Sequence, residues 1–224
     1  TDSAGSHDGT LEGDTTFGTG HSGQAFDFDG SGDRVRVPDG GNDDLDVQTG
    51  DMTIAAWVYI RSNGDHFIAG KEFGDNSYSL KVRGLALYFE LINGGNVDYI
   101  NTGNDLTLNE WHHVAGVKAN GRIKVFVDGG EKSSTEFTTS LLANGTDFTI
   151  GGPVYTTSPQ PDTNGLIDDV RLYSRGLDAT ELTAIFNDPG FAATHYIARK
   201  KVSSRMNTLC QTPPDPGVEL RVNY

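Results

Sequence analysis

Punctuation limits this fold more than composition does. Short apolar runs recur from the N-terminus to about residue 175, and glycine-bearing turns separate most of them. Ala25-Phe26-Asp27-Phe28-Asp29 alternates and meets Gly30-Ser31-Gly32-Asp33, while Arg34-Val35-Arg36-Val37 alternates and stops at Pro38. Alternation at period two marks strands with one buried face. Thr53 to Ile60 carries Ile54, Ala56, Val58 and Ile60 on one face with Trp57 and Tyr59 on the other, as expected of a strand buried on both sides. Further runs lie at Tyr78 to Val82, Leu85 to Leu91, Trp111 to Val117, Ile123 to Val127, Phe148 to Gly151 and Leu166 to Tyr173. Gly84, Asn93-Gly94-Gly95, Asn120-Gly121 and Asp128-Gly129 sit between or after these runs. Such residues supply the positive φ of tight hairpins. Many short strands at short spacing predict an all-β antiparallel sandwich or jelly roll.

One helix is signalled. Asp178 and Glu181 have capping-box spacing, Leu177 is placed to staple onto Leu182, and Leu182, Ile185 and Phe186 form a helical stripe. Asn187-Asp188-Pro189-Gly190 ends it. The remainder, 191–224, reads as a separate tail. It holds Arg199, Lys200, Lys201, Arg205 and Arg221 against Asp215 and Glu219, a net +3, which leaves −17 on the preceding residues out of −14 overall. Pro213, Pro214 and Pro216 form a hinge before Val218-Glu219-Leu220-Arg221-Val222, whose alternation predicts a terminal strand.

Composition excludes several classes. An acidic field of this size repels phosphate backbones, which argues against nucleic acid. No run approaches the ~18 apolar residues of a membrane span, so no membrane insertion is expected. Glycine is abundant, 29 of 224 residues, but without a G-X-Y period, so collagen is excluded. The single cysteine, Cys210, rules out an internal disulfide and a multi-cysteine zinc site. The sequence starts at Thr1 and shows no signal peptide, which reads as a processed product or an excised domain. Few lysines with much Asp, Gly, Asn and Thr suit a secreted, extracellular or cell-surface protein.

Four segments, in order, resemble the laminin-G-like domains of the concanavalin A-like lectin/glucanase superfamily. They are Gly23 to Gly30 with Val35 to Pro38, Met52 to Val58, Leu108 to Ala115, and Asn164 to Leu177. The resemblance spans roughly residues 1 to 188 and implies a jelly roll of two antiparallel sheets. It also implies frequent glycan or protein binding, often a calcium ion, and usually no catalysis. The given sequence starts at the turn that follows the family's opening strand, Asp2 to Leu11, so that strand is expected to be missing from the segment read here. The tail lies outside the family pattern.

Asp168 stands out among the candidate site residues. By period-two arithmetic it shares a face with Leu166, Val170 and Leu172, where an ionised carboxylate is costly unless paired. Calcium suits such an oxygen site. The family places the Asp29-Gly30-Ser31-Gly32 turn near that strand, so Asp29, Gly30 and Gly32 are expected to contribute, with Asp2 or Asp8 completing the shell. The other reading is that Asp168 accepts backbone N–H groups. An EF-hand at Asp27 fails because its twelfth position is Pro38, and Gly40 to Asp46 is read as a solvated acidic loop. His112 and His113 point to opposite faces of a strand and cannot easily share a metal. Trp57 and Trp111 are read as core or sheet-face residues. His66, Phe73, Asn76, Tyr78, Tyr99 and Tyr155 are candidate glycan contacts, being aromatic or amide residues placed on loops. Each has the alternative of ordinary packing.

No E-x-D-x-x-E strand, G-x-S-x-G, P-loop or H-E-x-x-H occurs, so no catalytic residue is assigned and no enzyme is expected. Asn144-Gly145-Thr146 is a glycosylation sequon, relevant only in a eukaryotic secretory route. A sandwich short of one strand exposes an edge. The tail could fill it in cis or enter a neighbouring subunit; the other reading is that the opening strand was lost upstream of Thr1 and the tail is a linker. Val218, Leu220 and Val222 would supply the strand, and the basic Arg199, Lys200 and Lys201 would dock on an acidic body. The sequence therefore predicts a non-catalytic, secreted, lectin-like module that binds a glycan or cell-surface protein and is stabilised by calcium. The alternative is a structural subunit of an extracellular assembly or filament, joined through its tail by strand donation. A weaker third is an accessory domain of a polysaccharide-degrading enzyme.

Overall fold

A computed structural model describes residues 7–40, 45–47, 50–72, 76–154 and 161–188, together with the backbone of 219–222. The strands are β1 (Thr10–Glu12), β2 (Thr16–Thr19), β3 (Gln24–Asp29), β4 (Arg34–Val37), β5 (Met52–Ile60), β6 (Asp65–Lys71), β7 (Ser77–Arg83) and β8 (Ala86–Asn93). They continue as β9 (Asn96–Asn101), β10 (Trp111–Ala119), β11 (Arg122–Val127), β12 (Gly130–Glu136), β13 (Phe148–Ile150), β14 (Asn164–Tyr173) and β15 (Glu219–Val222), with the helix α1 (Ala179–Phe186) between the last two. A seven-stranded sheet runs β1-β4-β13-β6-β7-β8-β9. An eight-stranded sheet runs β12-β11-β10-β5-β14-β3-β2, and β15 pairs with β14. All pairings are antiparallel. The result is the predicted sandwich.

The inner faces of the two sheets enclose the main core, which includes Phe28, Val35, Ile54, Val58, Leu80, Phe89, Val125, Phe148, Ile167 and Val170. The sheets approach closely where Gly116 meets Phe89, since a Cβ at Gly116 would lie 2.5 Å from the ring. A smaller cluster lies on the outer face of the eight-stranded sheet. There Leu177 and Leu182 pack on Ala55, Ala115, Val117, Phe126 and Tyr173. The predicted capping box fixes the start of this helix: Glu181 N–H donates to Asp178 Oδ1 at 2.9 Å and Asp178 N–H donates to Glu181 Oε2 at 3.0 Å.

β14 corrects one sequence expectation. Between its pairs Asp168–Trp57 and Arg171–Ala55 it holds two residues against one on β5, a β-bulge, and Asp169 takes φ +49°. The bulge shifts the alternation by one position. Ile167, Val170 and Leu172 all join the main core. Asp168 therefore does not share a face with Val170 and Leu172; it is displaced to the outer face beside Trp57.

The strands read from sequence are present within a few residues. β1, β2, β6, β9 and β12 were not foreshadowed, because four of them are short or polar edge elements and β6 carries its own register shift at Phe67/Ala69. Asp46, expected in a solvated loop, is instead buried in an ion cluster with Asp39: Lys71 Nζ lies 2.6 Å from Asp39 Oδ1, 2.5 Å from Asp46 Oδ1 and 3.0 Å from Asn144 O. The close approach at Gly116 makes a direct prediction. Gly116→Ala should lower unfolding free energy by about 1–3 kcal/mol through overpacking against Phe89, read as a reduced urea midpoint with unchanged slope.

Candidate functional site

An acidic cluster forms where two turns meet. Asp14 follows β1, Asp29 ends β3 and Asp33 precedes β4; their ligand oxygens all lie within 4.8 Å of one another. Asp33 is almost fully buried. Its Oδ1 accepts Asp14 N–H at 2.9 Å and its Oδ2 accepts Asp29 N–H at 3.0 Å. Burial raises its pKa, because a desolvated carboxylate favours the neutral form. Gly13, at φ +73°, lets the first turn approach, since a Cβ there would meet Asp33 Oδ1 at 2.5 Å. Across the second turn, Gly32 N–H donates to Asp162 Oδ2 at 2.8 Å. Three carboxylates with this spacing fit the oxygen-only shell of calcium, whose 2.3–2.6 Å bonds span ligand atoms up to roughly 5 Å apart.

The sequence reading shares only the Asp29 turn with this cluster. Asp168 lies four residues along β14 from Asn164, which pairs with Asp29, or about 13 Å away. Its Oδ2 accepts Ser22 N–H at 3.0 Å, so it holds the β2–β3 turn instead. Gly30 and Gly32 shape the turn through positive φ. Asp2 lies outside the described residues. Asp14 and Asp33 were missed, although each is an acid flanking a glycine turn.

The outer face of the seven-stranded sheet carries a second arrangement. Alternation puts Leu80, Val82, Leu87, Phe89, Leu91 and Ile100 in the core, so Lys81, Arg83, Tyr88, Glu90 and Tyr99 face outward. Glu90 stands opposite Tyr99, and Tyr88 opposite both Lys81 and Asn101. Tyr88 and Tyr99 stack with centroids 6.1 Å apart and planes 26° from parallel. The Arg83 guanidinium lies 4.9 Å from the Tyr88 centroid and 2.8 Å from Glu90 Oε1. Lys81 Nζ bridges Glu72 at 2.7 Å and Glu90 at 2.9 Å. Two cations and two anions thus balance, and Tyr99 stays 55% exposed.

The other glycan candidates fall elsewhere. His66 is buried, with Nε2 2.8 Å from Ser62 O, and Tyr78 is buried in the core with its hydroxyl donating to Leu45 O. Both are corrected to packing residues, because each sits on a central strand rather than a loop. Asn76 is half-buried and accepts Leu142 N–H at 3.1 Å. Phe73 and Tyr155 lie outside the described residues, as do Arg199, Lys200, Lys201 and Val218. Leu220 and Val222 are in β15, where the backbone alone is described.

The outer face of the eight-stranded sheet holds the histidines. His21 stacks on Trp57 at 3.5 Å, and His113 and Phe186 pack against the same indole. Trp57 is buried there and Trp111 half-buried, so both are sheet-face residues. His112 has the order of a hydroxyl–imidazole–carboxylate relay, with Thr107 Oγ1 at 2.8 Å and Asp128 Oδ2 at 2.9 Å. Its Nε2 already accepts Thr107 N–H at 3.1 Å, and Thr107 Oγ1 lies 2.6 Å from Glu110. The imidazole therefore caps a loop rather than standing ready as a base.

A family model described as the concanavalin A-like lectin/glucanases superfamily, of laminin-G type, matches residues 29–183. Among curated proteins no relative matches by sequence. Solved structures share the fold at low identity. The receptor-binding domain of a botulinum neurotoxin C/D mosaic serotype has a TM-score of 0.65 at 17% identity, over 80% of this chain and 46% of that one. The binding domain of botulinum neurotoxin DC in complex with SialylT gives 0.66 at 15%, over 83% and 47%. The binding domain of Paraclostridial Mosquitocidal Protein 1 gives 0.65 at 15%, over 81% and 47%. The chain spans slightly less than half the length of these proteins. No helix among the described residues is long and apolar enough to cross a membrane.

His113 provides a test of the outer-face packing. Burial, and then the nearby Arg171, lower its pKa to about 4 from 6.5. A group depressed on folding favours the neutral native form. Stability should be full above pH 6.5, fall as pH drops toward 4 and level off below, a loss of roughly 3 kcal/mol. Urea unfolding of wild type and His113→Gln across this range checks it, the variant losing the part of the slope due to His113.

Proposed function

Because the chain belongs to the laminin-G-type family of the concanavalin A-like lectin/glucanase superfamily, we propose that it is an extracellular, non-catalytic recognition domain for a glycan. The Tyr88–Tyr99 stack beside the Arg83–Glu90–Lys81 network carries this reading. A pyranose ring has an apolar C–H face and a rim of hydroxyls. An exposed tyrosine ring receives the first, and fixed charged donors and acceptors receive the second. The chain's net charge of −14 and the balanced charges of this face favour an uncharged saccharide over an anionic one. The similar toxin domain is bound to SialylT; the present face is read for a neutral sugar. Glu90 is tied to Lys81 and Arg83, and Asp168 to a backbone N–H, which supports binding rather than acid–base chemistry.

Calcium is the proposed structural cofactor. Asp14, Asp29 and Asp33 would hold it and pin the β1–β2 and β3–β4 turns together. The ion would compensate the like charges that the cluster gathers. It would take no part in chemistry.

Two experiments check these statements. A glycan array followed by calorimetry should find a neutral oligosaccharide whose affinity drops tenfold or more in Tyr99→Ala, with an unchanged melting temperature because Tyr99 is exposed. Equal affinity in the variant would refute the assigned face. Calcium at about 100 times its Kd should stabilise wild type by roughly 3 kcal/mol. Asp14→Asn should remove most of that increment. Wild type melting identically with calcium and with chelator would refute the metal site.

A further inference from the structure

The two sheets end in four strands, β1 and β9 in one and β12 and β2 in the other. Natural edges are blunted by shortness, charge, proline or a bulge. β1 has three residues and β2 four. β12 carries Glu131, Lys132 and Glu136, and its pairing with β11 shifts register between Val125 and Phe126. β9 has none of these devices. It runs six residues in unbroken register with β8, without lysine, arginine or proline. Its one charge, Asp98, alternates inward with the core residue Ile100, and its Oδ2 accepts the N–H groups of Thr138 and Thr139 at 2.7 and 2.6 Å.

Register identifies the free side of β9. Thr102 N–H donates to Leu87 O at 3.1 Å, so Thr102 and, by alternation, Ile100, Asp98 and Asn96 bond toward β8. The N–H and C=O groups of Val97, Tyr99 and Asn101 therefore point away from β8. None of these main-chain groups has a hydrogen-bond partner among the described residues. The side chains of the same three residues lie on the outer face and carry no charge, with Val97 51% and Tyr99 55% exposed.

An edge of this kind accepts a strand whose own free groups fall on alternate residues. β9 of a second copy is such a strand. About a two-fold axis at Tyr99, Val97 of one copy faces Asn101 of the other, and Tyr99 faces its equivalent. That antiparallel register pairs every free N–H and C=O of both edges. An axis at Asp98 would instead set Asn101 against the Gly95 turn and leave it unpaired. The net charge of −14 repels a second copy at a distance, but no like charges oppose each other at the contact. A basic strand from another protein would find no acid among the three outward positions.

We propose that β9 is a self-pairing edge, through which two copies of this chain join their seven-stranded sheets into one. The contact is isologous and closed, so it stops at the dimer. It is small beside a standard interface of about 1,600 Å², so the dimer should form only above roughly 10 µM. The pairing stands independently of whether the Tyr88–Tyr99 face binds a saccharide.

The test uses the full chain with reductant present, so that Cys210 forms no cross-link. Sedimentation velocity from about 10 µM to about 1 mM should show monomer passing to dimer. The dimer fraction should rise with salt, which screens the repulsion between two acidic chains. Val97→Pro removes one outward donor and none of the bonds to β8, and should weaken the dimer about tenfold. Val97→Lys with Asn101→Lys should be monomeric, as should Val97→Glu with Asn101→Glu. An equimolar mixture of these two folded variants should recover a one-to-one dimer, because each lysine then faces a glutamate. Wild type that stays monomeric at the highest concentration in high salt would leave the edge to a foreign strand and overturn the proposal. So would a dimer that persists at the same fraction in all three variants. A mixture that stays monomeric would overturn the two-fold register at Tyr99.

Discussion

The phase change in β14 is the constraint on which the rest depends. Without an extra residue between Asp168 and Arg171, period-two alternation would turn either Ile167 or the pair Val170 and Leu172 out of the core. The bulge puts all three inside and turns Asp168, Arg171 and Tyr173 outward. Arg171 then pairs with Asp169 at 2.6 Å and Asp188 at 3.2 Å. Although burial opposes its charge, Asp169 raises the Arg171 pKa, so the guanidinium stays ionised beneath the end of α1. Of the face beneath α1, the bulge supplies Tyr173, which joins Ala55, Ala115, Val117 and Phe126 of the neighbouring strands.

The sandwich was legible because its central strands are long, apolar and bounded by glycine turns. Thr53 to Ile60 and Leu166 to Tyr173 needed little beyond periodicity. Polar edge strands were not legible: Gly130–Glu136 has exposed polar residues along most of its length and no apolar stripe. The bulge was invisible as well. Asp169 is a non-glycine residue at positive φ, and its sequence context follows simple alternation. The hidden residue separates Asp168 from the face of Val170 and Leu172, and the register of β14 on β3 places it four residues beyond the Asp29 turn, where it accepts Ser22 N–H.

The candidate sites divide along the same line. The turn at Asp29 to Asp33 was readable as a loop that could gather oxygens. Asp14 was not, because its approach depends on the β1–β4 pairing, which brings two short strands together over 22 residues. On the seven-stranded sheet, Tyr99 is expected from sequence on a loop, and it lies instead on the edge strand β9. Its partners Tyr88, Arg83 and Glu90 come from cross-strand register, which no single segment displays. Of the sequence candidates only Tyr99 belongs to this face, and the sheet register supplies its neighbours.

The proposed recognition face is the outward side of β7, β8 and β9, while the outer face of the other sheet is occupied by α1 and the histidine–tryptophan stack. Backbone and side-chain NMR of the isotope-labelled chain, titrated with a bound neutral oligosaccharide, tests this most directly. Shifts concentrated at Arg83, Tyr88, Glu90 and Tyr99 would agree with it. Shifts centred on Trp57, Trp111 and His21, with β8 and β9 unmoved, would contradict it.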